Sequence, residues 1–537
     1  MILLRNLRLE EDEPLEALRA KAAKRLGVSE DDILQLRPVK RSLDARRKSD
    51  IHYRCAAALT LRRGEEKALR RAGKDAALYE PPRYTLPAFC GGERPVIAGF
   101  GPAGMFAALA LARAGARPIV LERGKDAVSR TRDVEAFRRG GPLDPESNVQ
   151  FGEGGAGTFS DGKLNTGTHD KRIAFVLREF AAHGAPESVT WDAKPHIGTD
   201  VLVEVVQNIR KEILALGGEL RFETRLDSLV IENSELTGVR VTHAGLESTL
   251  PCRRLILAIG HSARDSFEML HKLGVPMERK PFSMGLRIEH RQAEIDLAQY
   301  GRPRGKLPPA DYSLSVHLPD GSSAYTFCMC PGGRVFAAAS EAGGVVTNGM
   351  SYAARGGENA NAALLVTLHP EDFPGEGVLA GMDWQREIER RAFACTGSYR
   401  APAQLAGDFL AHRPSTGPGR VKPSYEPGVF WGDLHALLPA RISAVLERAI
   451  PALGQKLRGF DDPEAVLTAP ETRSSSPVRI LRDERLQSAV RGLYPCGEGA
   501  GYAGGITSAA VDGLRCAEAL LRDSADAPAE KASFYRH

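Results

Sequence analysis

Nowhere in these 537 residues does an uninterrupted apolar run approach the ~18 residues that a membrane-crossing helix needs. The opening stretch MILLRNLRLEEDEP gathers charge too early for a secretory leader. A membrane-crossing helix is therefore not expected, and cytoplasmic residence is the expectation. Cysteine is scarce: the eight stand at 55, 90, 252, 328, 330, 395, 496 and 516, with no CxxC and no Cys/His cluster at zinc spacing. That scatter reads as buried thiols in a reducing compartment, and no metal site is expected. Charge of one sign is also lacking, because 72 basic residues against 68 acidic ones leave a net +4, too little to argue for a polyanionic partner. Internal repeats and low-complexity tracts are absent, and 42% hydrophobic content excludes global disorder.

The charge is uneven, however. Arg37, Lys40, Arg41, Arg46, Arg47, Lys48 and Arg54 crowd one region against Asp44 and Asp50. Such a run reads first as a solvated face, with docking of nucleic acid through 37–54 as the alternative. It lies in a small α/β module expected over residues 1–90. There MILLRNLRL alternates like a strand, EPLEALRAKAAKRLG has helical spacing closed by glycine, and IHYRCAAALTL reads as another strand. The Pro- and Gly-rich PPRYTLPAFCGGERP marks its boundary.

Next comes PVIAGFGPAGMFAALALARAGARPIVLERG. An apolar strand ends at Ala98, glycines follow at 99, 101 and 104, an alanine-rich helix runs to about Ala114, and a second strand ends in Glu122. GxGxxG is common by chance, but between a strand and a helix, with a carboxylate ending the next strand, it carries a mechanism. Gly99 permits the tight turn, Gly101 leaves room for a pyrophosphate, and Gly104 lets helix and strand pack closely. The helix amino end attracts phosphate, while Glu122 is suited to accept hydrogen bonds from ribose hydroxyls. A dinucleotide-binding βαβ unit is expected. Downstream, DVLVEVVQNIRKEILALGGELRFET reads as helix then strand, and 226–260 as a β-meander ending in a buried strand at Leu255–Ile259.

A compact nicotinamide dehydrogenase would continue as one doubly wound sheet. Here the meander interrupts the sheet, and a strand, a GE-glycine loop and a helix return some 400 residues later. In this the chain resembles the glutathione-reductase-like FAD superfamily. FGEGGAGTFSDGKLNT, FSMGLRIEH, APETRSSSPVRI and YPCGEGAGYAGGITSAAVDG bring it closer to a bacterial family of mostly uncharacterised FAD-dependent dehydrogenases. The resemblance implies an α/β fold. Its parts would be a Rossmann-like FAD-binding domain (parallel sheet plus β-meander) over 91–275 and 470–537, an inserted mixed α+β substrate domain over 276–469, and the small N-terminal α/β domain. It implies FAD as cofactor, with NAD(P)H as a possible transient electron donor. It places Ala258 and Gly260 beside the cofactor, Gly497 and Glu498 over the ribityl chain, and Gly504, Gly505, Ile506 and Thr507 at the flavin ring. Pro102, Ala103, Arg123 and Leu226 join the same set.

FGEGGAGTFSDGKLNTG, residues 151–167, would then be a second glycine-rich wall. Gly154, Gly155 and Gly157 let the backbone approach, and Thr158, Ser160 and Lys163 are candidates to reach phosphate or flavin; a mobile lid without cofactor contact is the alternative. Within the insert, Met284, Leu286, Ile288 and His290 would share one strand face, with Arg287 and Glu289 on the other. Arg287 is a candidate carboxylate clamp, His290 a proton donor, and Arg473 a group near the ring; Glu471, Ser475, Tyr325 and Tyr502 are weaker candidates. An apolar-in, polar-out strand and a structural ion pair explain the same residues. Cys328 and Cys330, in CMC, should share one strand face, as core or as a redox pair.

Absences narrow the reaction. No CxxxxC or CxxC follows the first helix, which argues against the usual disulfide-reductase cysteines, and no second GxGxxG lies between 280 and 470 to carry a separate NAD(P)H domain. The leading expectation is an FAD-dependent oxidoreductase moving hydride between a small organic substrate and flavin N5. The alternatives are an RNA-associated flavoprotein using the basic module, a flavin monooxygenase, and a redox-sensing scaffold. Oligomeric state is left open.

Overall fold

The computed structural model describes residues 1–526. The first 78 residues build a four-stranded antiparallel sheet in the order Ile33–Asp44, His52–Leu61, Ile2–Leu9, Ala76–Leu78. The helices Ala17–Leu26 and Glu65–Ala72 cover it around a core of Ile2, Leu4, Leu18, Ala57 and Leu59. The basic run is mostly spent at home. The Arg41 guanidinium pairs with Asp192 at 2.9 Å and lies over the rings of Tyr53 and Trp191. Its backbone bonds to Trp191 and Ala193, so this sheet edge docks on the segment after the glycine-rich stretch. Arg46 pairs with Asp44, Arg54 with Asn6, and Lys48 donates to the Ala298 carbonyl.

Residues 81–95 carry no regular element, as their proline and glycine content dictates. A five-stranded parallel sheet follows in the order Leu493–Pro495, Leu255–Leu257, Val96–Ala98, Ile119–Leu121, Glu219–Arg221. All five strands are three residues long and most are fully buried, so their sequence is a short apolar run rather than an alternation. The strand order reverses between Val96–Ala98 and Leu255–Leu257, the point in an open α/β sheet where a crevice forms at the carboxyl ends. Helix Pro102–Arg113, buried at Ala103 through Ala112, packs against helix Ile506–Asp526. The meander Thr224–Glu232, Glu235–His243, Leu246–Pro251 sits beside this sheet.

The region between is dominated by an eight-stranded sheet with Phe282–Arg291 at its centre, flanked by Asn359–Leu368 and Val466–Glu471. Phe282–Arg291 is buried on both faces up to His290. The apolar-in, polar-out alternation expected of FSMGLRIEH is therefore replaced by two covered faces, one of which carries charge. A seam ties this sheet to the parallel one. Glu389, on helix Ala380–Ala394, accepts from Arg264 at 2.8 and 2.9 Å, from Arg473 at 2.8 and 3.0 Å, and from Thr472 at 2.7 Å. Burial pushes the Glu389 carboxyl up, but the two guanidinium groups outweigh it and hold it well below the usual range. Among the described residues no helix is long and apolar enough to cross a membrane.

Candidate active site

The carboxyl ends of four parallel strands deliver their next residues to one cavity of about 740 Å³: Gly99 and Gly101, Glu122 and Arg123, Ala258 to His261, and Cys496 with Glu498. That volume falls within the ~300–1,000 Å³ of small-molecule sites. Gly99, Gly101 and Gly104 divide their work as the spacing predicts. A Cβ at Gly99 would sit 2.3 Å from the Ala258 carbonyl oxygen, and one at Gly104 only 1.9 Å from the Gly99 carbonyl oxygen. These two close the packing of turn, helix and neighbouring strand. At Gly101, a Cβ would meet only Gly155 Cα at 3.7 Å, so this glycine faces open cavity. Pro102 and Ala103 line the cavity too, while Gly104 lies behind them.

The 151–167 stretch forms the opposite wall. Gly155 presses so closely on the first loop that its Cβ would stand 2.9 Å from Gly101 Cα, and a Cβ at Gly157 would stand 3.1 Å from Ile506 Cγ1. The wall is fastened rather than loose. Glu122 Oε1 accepts from the amides of Gly124 and Gly152, both at 2.9 Å, and Oε2 from Phe100 at 2.8 Å. Fully buried Arg130, missed by sequence reading, donates to the carbonyls of Asn148, Val149 and Glu153 at 2.7–2.8 Å and covers the Phe159 ring. Its burial brings the guanidinium down to about 10. Ser160 and Lys163 line the cavity; Gly154 and Thr158 do not, since the Thr158 hydroxyl turns inward to the Glu153 carbonyl.

The remaining expected positions sort in the same way. Arg123, Leu226, Ala258, Gly260, Glu498, Gly504, Gly505 and Ile506 line the cavity. Gly497 does not, because its amide donates to Asp512, nor does Thr507, whose hydroxyl bonds the Leu164 carbonyl. The three proposed catalytic residues fare differently. Arg287 is fully buried and does not reach the cavity: Glu471 binds its Nε at 2.6 Å and Nη2 at 2.9 Å, and Asn348, Asn361 and the Cys328 carbonyl take the rest. His290 is also buried elsewhere, its Nε2 on the Phe460 carbonyl at 2.8 Å, and burial pushes its pKa down. Both are corrected here, because the strand that carries them is covered on each face. Arg473 does line the cavity, but its guanidinium is held by Glu389 and Ser340. Glu471 and Ser474 reach the wall; Tyr325 and Tyr502 spend their hydroxyls on Ser283 and the Ile480 carbonyl.

Two helix amino ends, at Pro102 and Ile506, open on this cavity, each equivalent to roughly half a positive charge. Lys163, Lys194 and Arg355 add side-chain cations, answered by Asp161 and Asp311. On the same wall His261 sits with Nδ1 3.5 Å from Glu498 and with Nε2 buried and without a partner. The large sheet supplies the far side through Thr326, Phe327, Cys328 and Asn348, and Tyr312 joins them from a segment outside its strands.

Residues 281–474 match the family model described as FAD-dependent protein, C-terminal domain-like, and residues 1–60 match a domain of unknown function. An uncharacterized protein of Clostridium beijerinckii is 47% identical over 531 residues, spanning 97% of this chain and 98% of that protein. The chain belongs to the family of that protein. Among solved structures, the flavin-dependent brominase Bmp2, as a triple mutant, is 12% identical with 81% of this chain and 82% of that chain covered, at a TM-score of 0.39. A geranylgeranyl bacteriochlorophyll reductase-like protein of Thermoplasma acidophilum is 13% identical over 81% and 80% of the chains, at a TM-score of 0.36. Likenesses this distant carry no argument about fold or reaction.

Proposed function

We propose that this chain is an FAD-dependent oxidoreductase of the glutathione-reductase-like superfamily that moves a hydride between a small organic substrate and flavin N5. The observation that carries the reading is one cavity, at the carboxyl edge of a parallel sheet, that two glycine loops line and two helix amino ends face. The residues present fit the cofactor. At Gly101 the backbone leaves a cradle that a side chain would fill, Gly155 lets the second loop close against it, and the orphaned His261 Nε2 offers one unsatisfied polar atom on the wall. Gly99 to Ala103 and Gly155 to Gly157 would hold the pyrophosphate, and the dipole of helix Pro102–Arg113 would favour its charge. Glu122 already accepts three amide bonds, which leaves roughly one of its ~four acceptor positions for a ribose hydroxyl. Ser160, Lys163, Gly504, Gly505 and Ile506 would surround the ring.

Bound there, FAD would supply the acceptor and donor of hydride. The protein's part is to orient and to exclude water. Lys163 places a cation where negative charge would grow, helped by the amino end of helix Ile506–Asp526. Tyr312, Thr326 and Phe327 close the far side, and Asn348, Arg355 and Ser474 present polar groups to a substrate. A nicotinamide cofactor or the substrate itself would bring the electrons.

Protein purified as the full chain and then denatured should release one FAD per chain, identified by chromatography and absorbance. Gly155→Val, with a branched side chain where even Cβ would be 2.9 Å from Gly101 Cα, should come out colourless. A parent protein that is colourless and takes up no FAD when offered it refutes the assignment.

A further inference from the structure

A thiol of the cavity wall and its buried neighbour have no part in that chemistry. Cys328 and Cys330 lie on the long strand Ser323–Ala337, whose pairing with Asn359–Leu368 slips between Phe327 and Cys330. An undisturbed strand would only send both side chains to one face. The slip instead puts Cys328 at φ +41°, a left-handed conformation that a residue with a side chain rarely adopts. Its neighbours hold it there: Arg287 Nη1 donates to the Cys328 carbonyl at 3.0 Å, and the Cys330 thiol folds back to 3.2 Å from the same oxygen. As a result Cys328 is half-buried and lines the cavity, whereas Cys330 is fully buried and does not. The Cys330 thiol is thus held against residue 328, and both thiols are free.

We propose that Cys328 and Cys330 form a dithiol–disulfide exchange site that takes a small-molecule disulfide from the cavity. The accessible Cys328 attacks and the buried Cys330 resolves. In the first step the Cys328 thiolate attacks one sulfur of RSSR, the S–S bond breaks, and RS⁻ leaves and is protonated. In the second, Cys330 gives up its proton and attacks Cys328 Sγ, closing the Cys328–Cys330 bond and expelling the second RS⁻. The protein dithiol loses two electrons and two protons, and the small disulfide becomes two thiols, so no further oxidant is needed. The surroundings favour this order. The neighbouring Cys330 thiol outweighs burial, and with Arg287 and Lys163 it brings Cys328 down to about 6 against the opposing Asp161; Cys330 is pushed well up by Cys328 and by burial. A low thiol in front of a high one is what attack and resolution require. Strain at a non-glycine residue is itself commonest at working sites.

The site rests on the cavity and the strand, not on flavin, so its failure and that of the cofactor assignment are told apart. The test uses the reduced full chain with exposed Cys90 and Cys395 changed to serine, and bis(2-hydroxyethyl) disulfide as the probe. Two thiols should be lost per probe molecule consumed, with peptide mapping placing the new bridge at Cys328–Cys330. In C330S the reaction should stop at a mixed disulfide on Cys328. In the parent the rate should be half-maximal near pH 6, the value at which Cys330, Arg287 and Lys163 hold Cys328 against Asp161 and Glu471, rather than near the ~8.5 of an ordinary thiol. A map without that bridge, modification of Cys328 no faster than of buried Cys252, or loss of two thiols from C330S each overturns the proposal.

Discussion

Gly101→Ala and Gly104→Ala stand one helical turn apart and should fail in opposite ways. At Gly101 the backbone is at φ −73°, which any residue tolerates, and an added Cβ would meet only Gly155 Cα at 3.7 Å. Restricting the unfolded chain at such a position adds about 0.4–1 kcal/mol of stability. The same methyl would stand in the groove where the pyrophosphate is proposed to lie and deny it one backbone amide. A hydrogen bond to a charged group is worth about 1.5–3 kcal/mol, so FAD should bind about 10- to 150-fold more weakly. At Gly104 the Cβ would fall 1.9 Å from the Gly99 carbonyl oxygen, and no flexible side chain can yield there. Overpacking of this kind costs about 1–3 kcal/mol or more, because helix Pro102–Arg113 must back away from its strand. The assay is thermal unfolding of flavin-free protein beside FAD titration by fluorescence. Gly101→Ala should hold its midpoint and lose affinity; Gly104→Ala should lose its midpoint first. Parent-like FAD affinity in Gly101→Ala would show that this groove does not hold the pyrophosphate.

Glu389→Gln leaves Arg264 and Arg473 buried around a neutral amide and should cost about 3–5 kcal/mol, read as a lower unfolding midpoint. Because the Glu389 carboxyl is held below its unfolded value of about 4.3, its contribution is complete above that pH and is lost as pH falls toward the folded value. The parent should therefore lose stability below about pH 4 more steeply than E389Q, and equal slopes would dismiss the seam as a source of acid sensitivity. Glu122→Gln keeps one acceptor oxygen but turns an amide NH₂ on a backbone N–H, at about 1–3 kcal/mol; protease cleavage within 151–167 should accelerate and FAD retention fall. Unaltered proteolysis would mean Arg130 alone fastens the wall. Arg41→Ala removes a partly exposed pair with Asp192 and two ring contacts, about 1 kcal/mol in all, and should expose the 81–95 connection to protease without changing flavin content.

What could be read from sequence was what local chemistry dictates. The βαβ unit was legible because strand, glycine turn, alanine helix and terminal carboxylate each carry their own signal, and every one reappears between Val96 and Glu122. The strand Ile33–Asp44 was not legible. It is an edge strand, and edges tolerate what interiors exclude, here Pro38, Lys40 and Arg41, so a strand that docks on a neighbouring segment read only as a solvated charged face. Arg130 stayed hidden for another reason. Its three partners are backbone carbonyls 18–23 residues downstream, and a carbonyl leaves no mark on the residue that bears it.

Arg287 and His290 show where reasoning from residue type stops. A charged group on an apolar strand is ambiguous between a ligand contact and an internal pair, and the deciding partner is distant: Glu471, 184 residues on, for Arg287, and the Phe460 carbonyl, 170 residues on, for His290. Leaving a guanidinium unpaired in a dry interior costs several kcal/mol, so a buried one implies a partner somewhere in the chain. Glu471 lies in the adjoining strand Val466–Glu471 and reaches the cavity wall, which leaves Arg287 behind it. From there Arg287 still acts on the wall, through the backbone of Cys328 rather than through any substrate. Charge that sequence reading assigns to binding can thus be spent on holding another residue in a conformation it would not adopt alone, and the place to look for its effect is that residue.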